Sequence, residues 1–160
     1  MTKMIINFSD EIHSREKALA RKVVKSTLQF LNQPENVEVC ISVVSDEEIR
    51  KLNAENRKIN KVTDVLSFPA LEIAPGENIQ NAASLVLEGR IYLGDVVISR
   101  DQIERQAKEY GATYDEEFAR MVLHSILHLL GYDHIKKEDE KVMKAVEVPL
   151  YEKISKIKLI

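Results

Sequence analysis

Three of the chain's four histidines fall within eleven consecutive residues, H-S-I-L-H-L-L-G-Y-D-H, from His124 to His134. On an α-helix, residues four apart are rotated by only about 40° from one another, so His124 and His128 project from one face. Gly131 is placed to end that helix and turn the chain back, and His134 then approaches the same point from outside it. Three converging imidazoles make a metal site with one position free, because zinc is normally four-coordinate. A lone histidine here would read as a hydrogen-bonded core residue. Two imidazoles one turn apart, on a helix that is apolar nearly all round from residue 118 to 130, would both need polar partners in a low-dielectric interior. A third follows directly after a helix-ending glycine, and the spacing therefore predicts a metal centre. Structural zinc usually takes four protein ligands and favours cysteine, yet the only cysteine, Cys40, is remote in sequence and His13 is isolated. An open coordination position favours a catalytic metal, whose work is the activation of water near neutral pH.

The frame H-x-x-x-H-x-x-G-x-x-H is that of the metzincin metalloproteases, down to the glycine. Those enzymes carry a glutamate directly after the first histidine as general base. Ser125 stands there in this chain, and a serine hydroxyl, with a pKa far above neutral, cannot take a proton from water in that role. The ligand frame is present without the peptidase base, so metzincin-type proteolysis is not expected.

The elements that must position these residues are legible in hydropathy and capping signals. Residues 4–8 form a short apolar run that reads as an edge strand. Over residues 14–31 the apolar positions Leu19, Val23, Phe30 and Leu31 recur at helical spacing, and Asn32-Gln33-Pro34 ends the helix. Val37, Val39, Ile41 and Val43 alternate with Glu38, Cys40 and Ser42, the pattern of a half-buried strand. Ser45 and Glu48 form a capping box that opens a short helix to about Glu55. Residues 65–68 read as a brief strand stopped by Pro69, and a hairpin arm is expected around residues 84–87. Residues 90–98 form a strong strand that contains Gly94, a mark of close backbone approach, and Asp95, an unexpected carboxylate in a buried run. Ser99 and Gln102 cap a helix ended by Gly111, and Thr113 and Glu116 cap the histidine helix. A last helix starts near Lys137 and is expected to break or kink at Pro149. Strands come early and helices late, which favours an α+β fold. The expected architecture is one domain over residues 1–160, a small mixed sheet of four to five strands packed with about five helices, one of them a metzincin-like three-histidine metal helix.

A length of 160 residues suits one domain and needs no covalent staple. With 44% hydrophobic and 31% charged residues, five Gly and four Pro, the composition excludes disorder, collagen-like repeats and low-complexity architectures. A single cysteine permits no internal disulfide and points to a reducing compartment. There is no run resembling a signal peptide or a membrane span, so a cytoplasmic protein without a membrane partner is expected. The net charge of −3 does not support a globally basic nucleic-acid binder, but residues 50–61 carry five bases against the single acid Glu55. A basic stretch on an acidic body is suited to receiving a phosphate chain.

Taken together, these residues resemble the YbeY-type rRNA maturation factors, a family regarded as metal-dependent endoribonucleases. The resemblance rests on H-S-I-L-H-L-L-G-Y-D-H at 124–134 and T-D-V-L-S-F-P at 63–69, with L-G-D-V-V-I-S at 93–99 and Arg57, six residues before Thr63, in support. The segments fall in the family's order and span most of the chain. Ser125 stands where the family often has Gly, and Val62 where it often has Pro, and neither change touches a ligand. The resemblance implies a zinc-dependent, single-strand-preferring endoribonuclease that acts in 16S rRNA 3′-end maturation and ribosome quality control. It implies one Zn2+ held by His124, His128 and His134, with Arg57 and His124 as the residues on which catalysis depends. It implies partners as well: rRNA, the small ribosomal subunit, a small-subunit ribosomal protein and an assembly GTPase.

Phosphodiester cleavage builds negative charge on a five-coordinate phosphorus, so a cation and rigid donors aimed at it lower the barrier. Arg57 supplies a permanently charged planar fork for phosphate oxygens, and Lys51, Lys58 and Lys61 are expected along the flanking backbone. Asp95 and Asp133 are candidates for the general base or for carboxylates that fix a ligand histidine's tautomer, the latter or a turn role being favoured for Asp133. Ser67 and Phe68 are candidate groove residues. Two other readings of the same residues are a non-catalytic rRNA-binding assembly factor with a structural zinc, and a metalloprotease-like hydrolase with its base elsewhere.

Overall fold

The alternating apolar residues Val37, Val39, Ile41 and Val43 are all fully buried, while Glu38, Cys40, Ser42 and Val44 between them are half-buried. They form the centre of a mixed sheet in the computed structural model of the chain, which describes residues 3–82 and 86–156. The elements run β1 (Ile5–Phe8), α1 (Ser14–Phe30), β2 (Val37–Val44), α2 (Asp46–Arg57), β3 (Val65–Pro69), a 3-10 turn (Ile79–Asn81), β4 (Val86–Leu87), β5 (Arg90–Ser99), α3 (Arg100–Tyr110), α4 (Tyr114–Leu129) and α5 (Lys137–Lys156). The main strand order is β1-β2-β5-β3. The first three strands are mutually parallel, β3 is antiparallel to β5, and β4 pairs with the start of β5 on the same edge. This is the α+β arrangement expected, with five helices and a mixed sheet.

Each helix begins or ends where side-chain chemistry requires it. Ser45, Ser99 and Thr113 accept hydrogen bonds from the backbone N–H groups of Glu48, Gln102 and Glu116, satisfying donors that the first helical turn leaves unpaired. A further cap was not foreseen: the Glu16 carboxylate accepts from the backbone N–H of His13 at 2.8 Å and opens α1. α2 runs past Glu55 to Arg57, where Lys58 adopts a left-handed φ of 59° and stops it. α5 does not break at Pro149 but continues through it to Lys156. Its remaining turns supply enough hydrogen bonds and packing to absorb the one that proline removes.

The hairpin expectation is met in its second half. Val86 and Leu87 pair with Ile91 and Arg90 across Glu88 and Gly89, both at positive φ, as a two-residue hairpin turn demands. Ser84 and Leu85 lie outside the described residues.

β5 carries a bulge. Glu38 pairs with Tyr92 and Val39 with Gly94, so Leu93 is the extra residue. The bulge sets which side of the sheet each later residue faces. Val96 and Ile98 join Ile91 and Leu93 in the core, while Asp95 sits half-buried on the opposite face with Tyr92 and Cys40. Gly94 has a φ of 134°, and a Cβ there would lie 2.3 Å from the Phe68 carbonyl oxygen of β3. Gly94→Ala is therefore expected to lower stability by about 2–4 kcal/mol, read as a drop in urea midpoint at unchanged denaturant slope. An unchanged midpoint would show that β3 can move away without cost.

Candidate metal centre and cleft

α4 packs against β3, β5, α1, α3 and α5, and its apolar side chains Phe118, Val122, Leu123, Ile126, Leu127 and Leu129 are fully buried. From residue 117 to 130 only Arg120, His124 and His128 escape burial. Spaced by four, they form one stripe along the single side of α4 that faces out. The helix then ends in a complete Schellman motif: Gly131 N–H donates to the His128 carbonyl at 3.0 Å and Tyr132 N–H to the Leu127 carbonyl at 3.0 Å. Gly131 has a φ of 98°, and a Cβ would meet the Ile73 carbonyl oxygen at 2.4 Å, so only glycine fits. The turn returns the chain, and Asp133 fixes it by accepting from the backbone N–H groups of His134 and Ile135 at 2.7 and 3.3 Å.

The result brings one nitrogen from each of His124, His128 and His134 within 4.8 Å of the other two. The Nε2 atoms of His124 and His128 are 3.2 Å apart, close to the separation of about 3.4 Å that two ligands at about 2.0–2.1 Å subtend on a tetrahedral ion. His128 stands edge-on to both other rings, His124 and His134 are tilted by 33° to each other, and the centroids lie 4.7 to 5.2 Å apart. His124 Nδ1 lies 2.7 Å from the Glu147 carboxylate of α5. A carboxylate can only accept, so the proton sits on Nδ1 and the Nε2 lone pair is left for a metal. Burial, reinforced by the neighbouring His124 and His134 imidazoles, pulls the His128 pKa down to about 4, which keeps this ring neutral and able to ligate at physiological pH. Burial alone would raise Glu147. The hydrogen bond from His124 and the Arg120 charge outweigh it, and the carboxyl is held below its ordinary value. These donors fit a divalent ion that accepts nitrogen ligands.

The histidines open onto a cleft of about 390 Å3, whose other wall carries Arg57, Thr63 and Ser67. Arg57 is the last residue of α2, exposed, and among the described residues has no carboxylate partner within 4.0 Å. The loop that follows is pinned by Asn53, whose amide donates to the Lys61 carbonyl at 2.9 Å. Asp133 lines the cleft too. Lys58 and Lys61 flank it on that loop without lining it. Lys51 is turned to solvent and pairs with Glu47 at 3.7 Å. Phe68 pairs with Asp95 on the far face of the sheet and does not line the cleft. Asp95 is likewise not brought to the histidines: its carboxylate accepts from Tyr92 Oη on the other side of β5. Ser125, where the proteases carry their base, is fully buried and donates to the Met121 carbonyl at 2.7 Å.

The model of the family described as Endoribonuclease YbeY matches residues 4–155. The chain belongs to the endoribonuclease YbeY family. It is 40% identical over 131 residues to an endoribonuclease YbeY of Caldicellulosiruptor bescii, covering 82% of this chain and 81% of that one. It is 41% identical over 139 residues to the protein of the same name from Caldanaerobacter subterraneus, covering 86% and 87%. A Thermotoga maritima protein solved in solution superposes with a TM-score of 0.52 at 23% identity, over 98% of this chain and 93% of that one, and bears on the fold alone. As a family member the chain is an enzyme, a hydrolase of the nuclease class.

Glu147 is the residue at this centre that sequence reasoning missed. It comes from another helix, and no spacing relative to His124 announces it. Glu147→Ala is expected to weaken metal binding by about 10–100-fold, measured by chelator competition. Unchanged affinity would show that His124 keeps its orientation without the carboxylate. His128 also predicts a pH effect on the metal-free protein. Its folded pKa near 4 lies below the ordinary 6.5, so between those values the unfolded chain binds more protons and stability falls as pH drops. Urea midpoints taken from pH 7 to pH 4 should decline less steeply for His128→Asn than for the parent. Parallel declines would mean that His128 titrates alike in both states.

Proposed function

We propose that the chain is a zinc-dependent endoribonuclease that prefers single-stranded RNA and acts in 16S rRNA 3′-end maturation and ribosome quality control in the cytoplasm. One observation carries the reading: Arg57 and the three histidines, from distant parts of the chain, line one cleft. Family membership supports RNA as the substrate class. Zinc is supported by the all-imidazole donor set, which suits it well. No helix of the described residues is long and apolar enough to cross a membrane.

In this reading His124, His128 and His134 hold the ion, which when bound supplies Lewis acidity at a phosphate oxygen or an attacking water. The residues around it do the positioning. Glu147 holds His124 in the tautomer that presents Nε2. Arg57, free of any carboxylate within the described residues, sets its guanidinium against the non-bridging oxygens of the scissile phosphate, where negative charge grows. The hydroxyls of Thr63 and Ser67 stand on the same wall as donors to the phosphate or sugar. Lys58 and Lys61 meet the neighbouring backbone and give binding its salt dependence. Asp133 holds the turn that delivers His134, so its first role is structural. Asp95, on the other face of the sheet, takes no part in the chemistry. Through the partners implied by the family, rRNA in the small subunit, a small-subunit ribosomal protein and an assembly GTPase, the cleft is brought to the 3′ end of the 16S rRNA.

The deciding experiment is cleavage of labelled single-stranded 16S 3′-end RNA by zinc-loaded protein, with Arg57→Ala and His128→Ala prepared identically. The parent should cut. Arg57→Ala should keep its metal and lose about 10²–10³ in rate, whereas His128→Ala should lose metal and activity together. Equal cutting by all three would sink the assignment of the site. A 2′-deoxy substitution at the cut tells whether water or the RNA 2′-hydroxyl attacks, because only the latter route needs that group and leaves a cyclic phosphate.

A further inference from the structure

The cleft does not stop at the histidines. Past His124 and His134 it opens into a second lobe of about 420 Å3, walled by Tyr110 at the end of α3, Arg120 and Met121 of α4, and Met143 and Lys144 of α5. His124, His134 and Asp64 border both lobes, so both adjoin the metal centre.

Tyr110 is 60% exposed, and the Arg120 guanidinium lies 5.4 Å from its ring centroid. Arg120 is itself clamped: Nε and Nη2 donate to Glu117 at 2.9 and 2.7 Å. Glu117 is buried and accepts a further hydrogen bond from Gln106 at 2.7 Å. Guanidinium and ring therefore form a fixed platform with an open aromatic surface. The lobe's two cations are both matched, Arg120 by Glu117 and Lys144 by Glu140 at 2.9 Å. Unlike the wall that carries Arg57, this one has no free positive charge to offer a phosphate. Its carboxylates are engaged as well, Glu140 by Lys144, Glu147 by His124 and Asp64 by the Val65 N–H, so a recess with an exposed aromatic ring, two polarizable thioethers and no free cation is suited to the flat face of a nucleobase.

We propose that this lobe is a base-binding subsite, in which Tyr110 stacks a nucleotide next to the scissile phosphate and Arg120 holds the ring in place. The inference rests on the nuclease reading above and supplies a physical reason for single-strand preference. A base can enter the lobe only after leaving its own stack, which costs little in a single strand and several base-pairing and stacking contacts in a duplex. Stacking is indifferent to base identity because every base has a π-face, so the lobe sets affinity and register rather than sequence.

The test uses full-length zinc-loaded protein and a set of single-stranded RNAs, each abasic at one position around the cut, with the parent, Tyr110→Ala and Tyr110→Phe. On the parent, one abasic position beside the cut should raise KM roughly tenfold with kcat little changed. Tyr110→Ala should raise KM on intact RNA by a similar factor and be indifferent to that abasic position, while Tyr110→Phe should behave as the parent. The subsite is overturned if no abasic position affects the parent, or if the abasic and Tyr110→Ala losses multiply in full. A parent protein that neither binds nor cuts any of these RNAs would bring down the nuclease reading itself, a result distinct from cutting that is insensitive to Tyr110.

Discussion

Helix α4 must bury nearly its whole circumference between the sheet and three other helices, and this constraint decides where chemistry can take place. Burying apolar side chains contributes about 25 cal/mol per Å2 removed from water, and from Phe118 on the helix offers such side chains at most positions. What remains is a narrow stripe of Arg120, His124 and His128. A polar side chain anywhere else between residues 117 and 130 is driven into the core. Ser125 meets that fate and satisfies its hydroxyl on the preceding turn. The same enclosure depresses the His128 pKa, so packing and ligand chemistry have one cause.

Two buried glutamates and one half-buried one pair with basic groups around α4, so the net charge alone says little about the cleft. Glu16 is buried and accepts from Arg100 and from the Tyr114 hydroxyl, each at 2.5 Å, joining α1 to α3 and α4. Burial would raise its pKa, yet those hydrogen bonds and the Arg100 charge hold it below its ordinary value. Glu117 clamps Arg120 and Glu147 holds His124 in the same manner. Three glutamates thus fix three basic groups around α4, and the two buried ones each take a further hydrogen bond, Glu16 from Tyr114 and Glu117 from Gln106. Arg57, without a carboxylate within 4.0 Å among the described residues, is the cation that the cleft wall offers a ligand.

What could be read from the sequence was what is decided within a turn or two of chain. Histidines four apart, a glycine that ends the helix, serine and threonine caps and the alternation in β2 are local signals, and each reappears in the fold. Arg57 was reached through resemblance; its place at the very end of α2 depends on where that helix stops, two residues later than the caps alone implied. The losses were non-local. Asp95 carries a carboxylate of the right kind, but one extra residue at the β5 bulge places it on the far face of the sheet. Glu147 lies on a helix whose rotation is fixed by packing on α4 and α1. Pro149 read as a break because a local rule was applied to a helix held by tertiary contacts.

The stretch between β3 and the 3-10 turn has the composition of a loop, and loops ordinarily accept insertions and deletions among relatives. Here the chain is tied at short intervals. Ala70 donates to Leu93 at 3.0 Å, Ile73 lies against Gly131, and Gln33 bridges the Glu77 carbonyl and the Ile79 N–H at 2.9 and 3.0 Å. It therefore acts as a spacer of fixed length, one end set by the sheet and its middle pressed on the turn that carries His134. A residue added or removed here would shift the turn that carries His134, so a segment that holds no metal ligand sets the position of one.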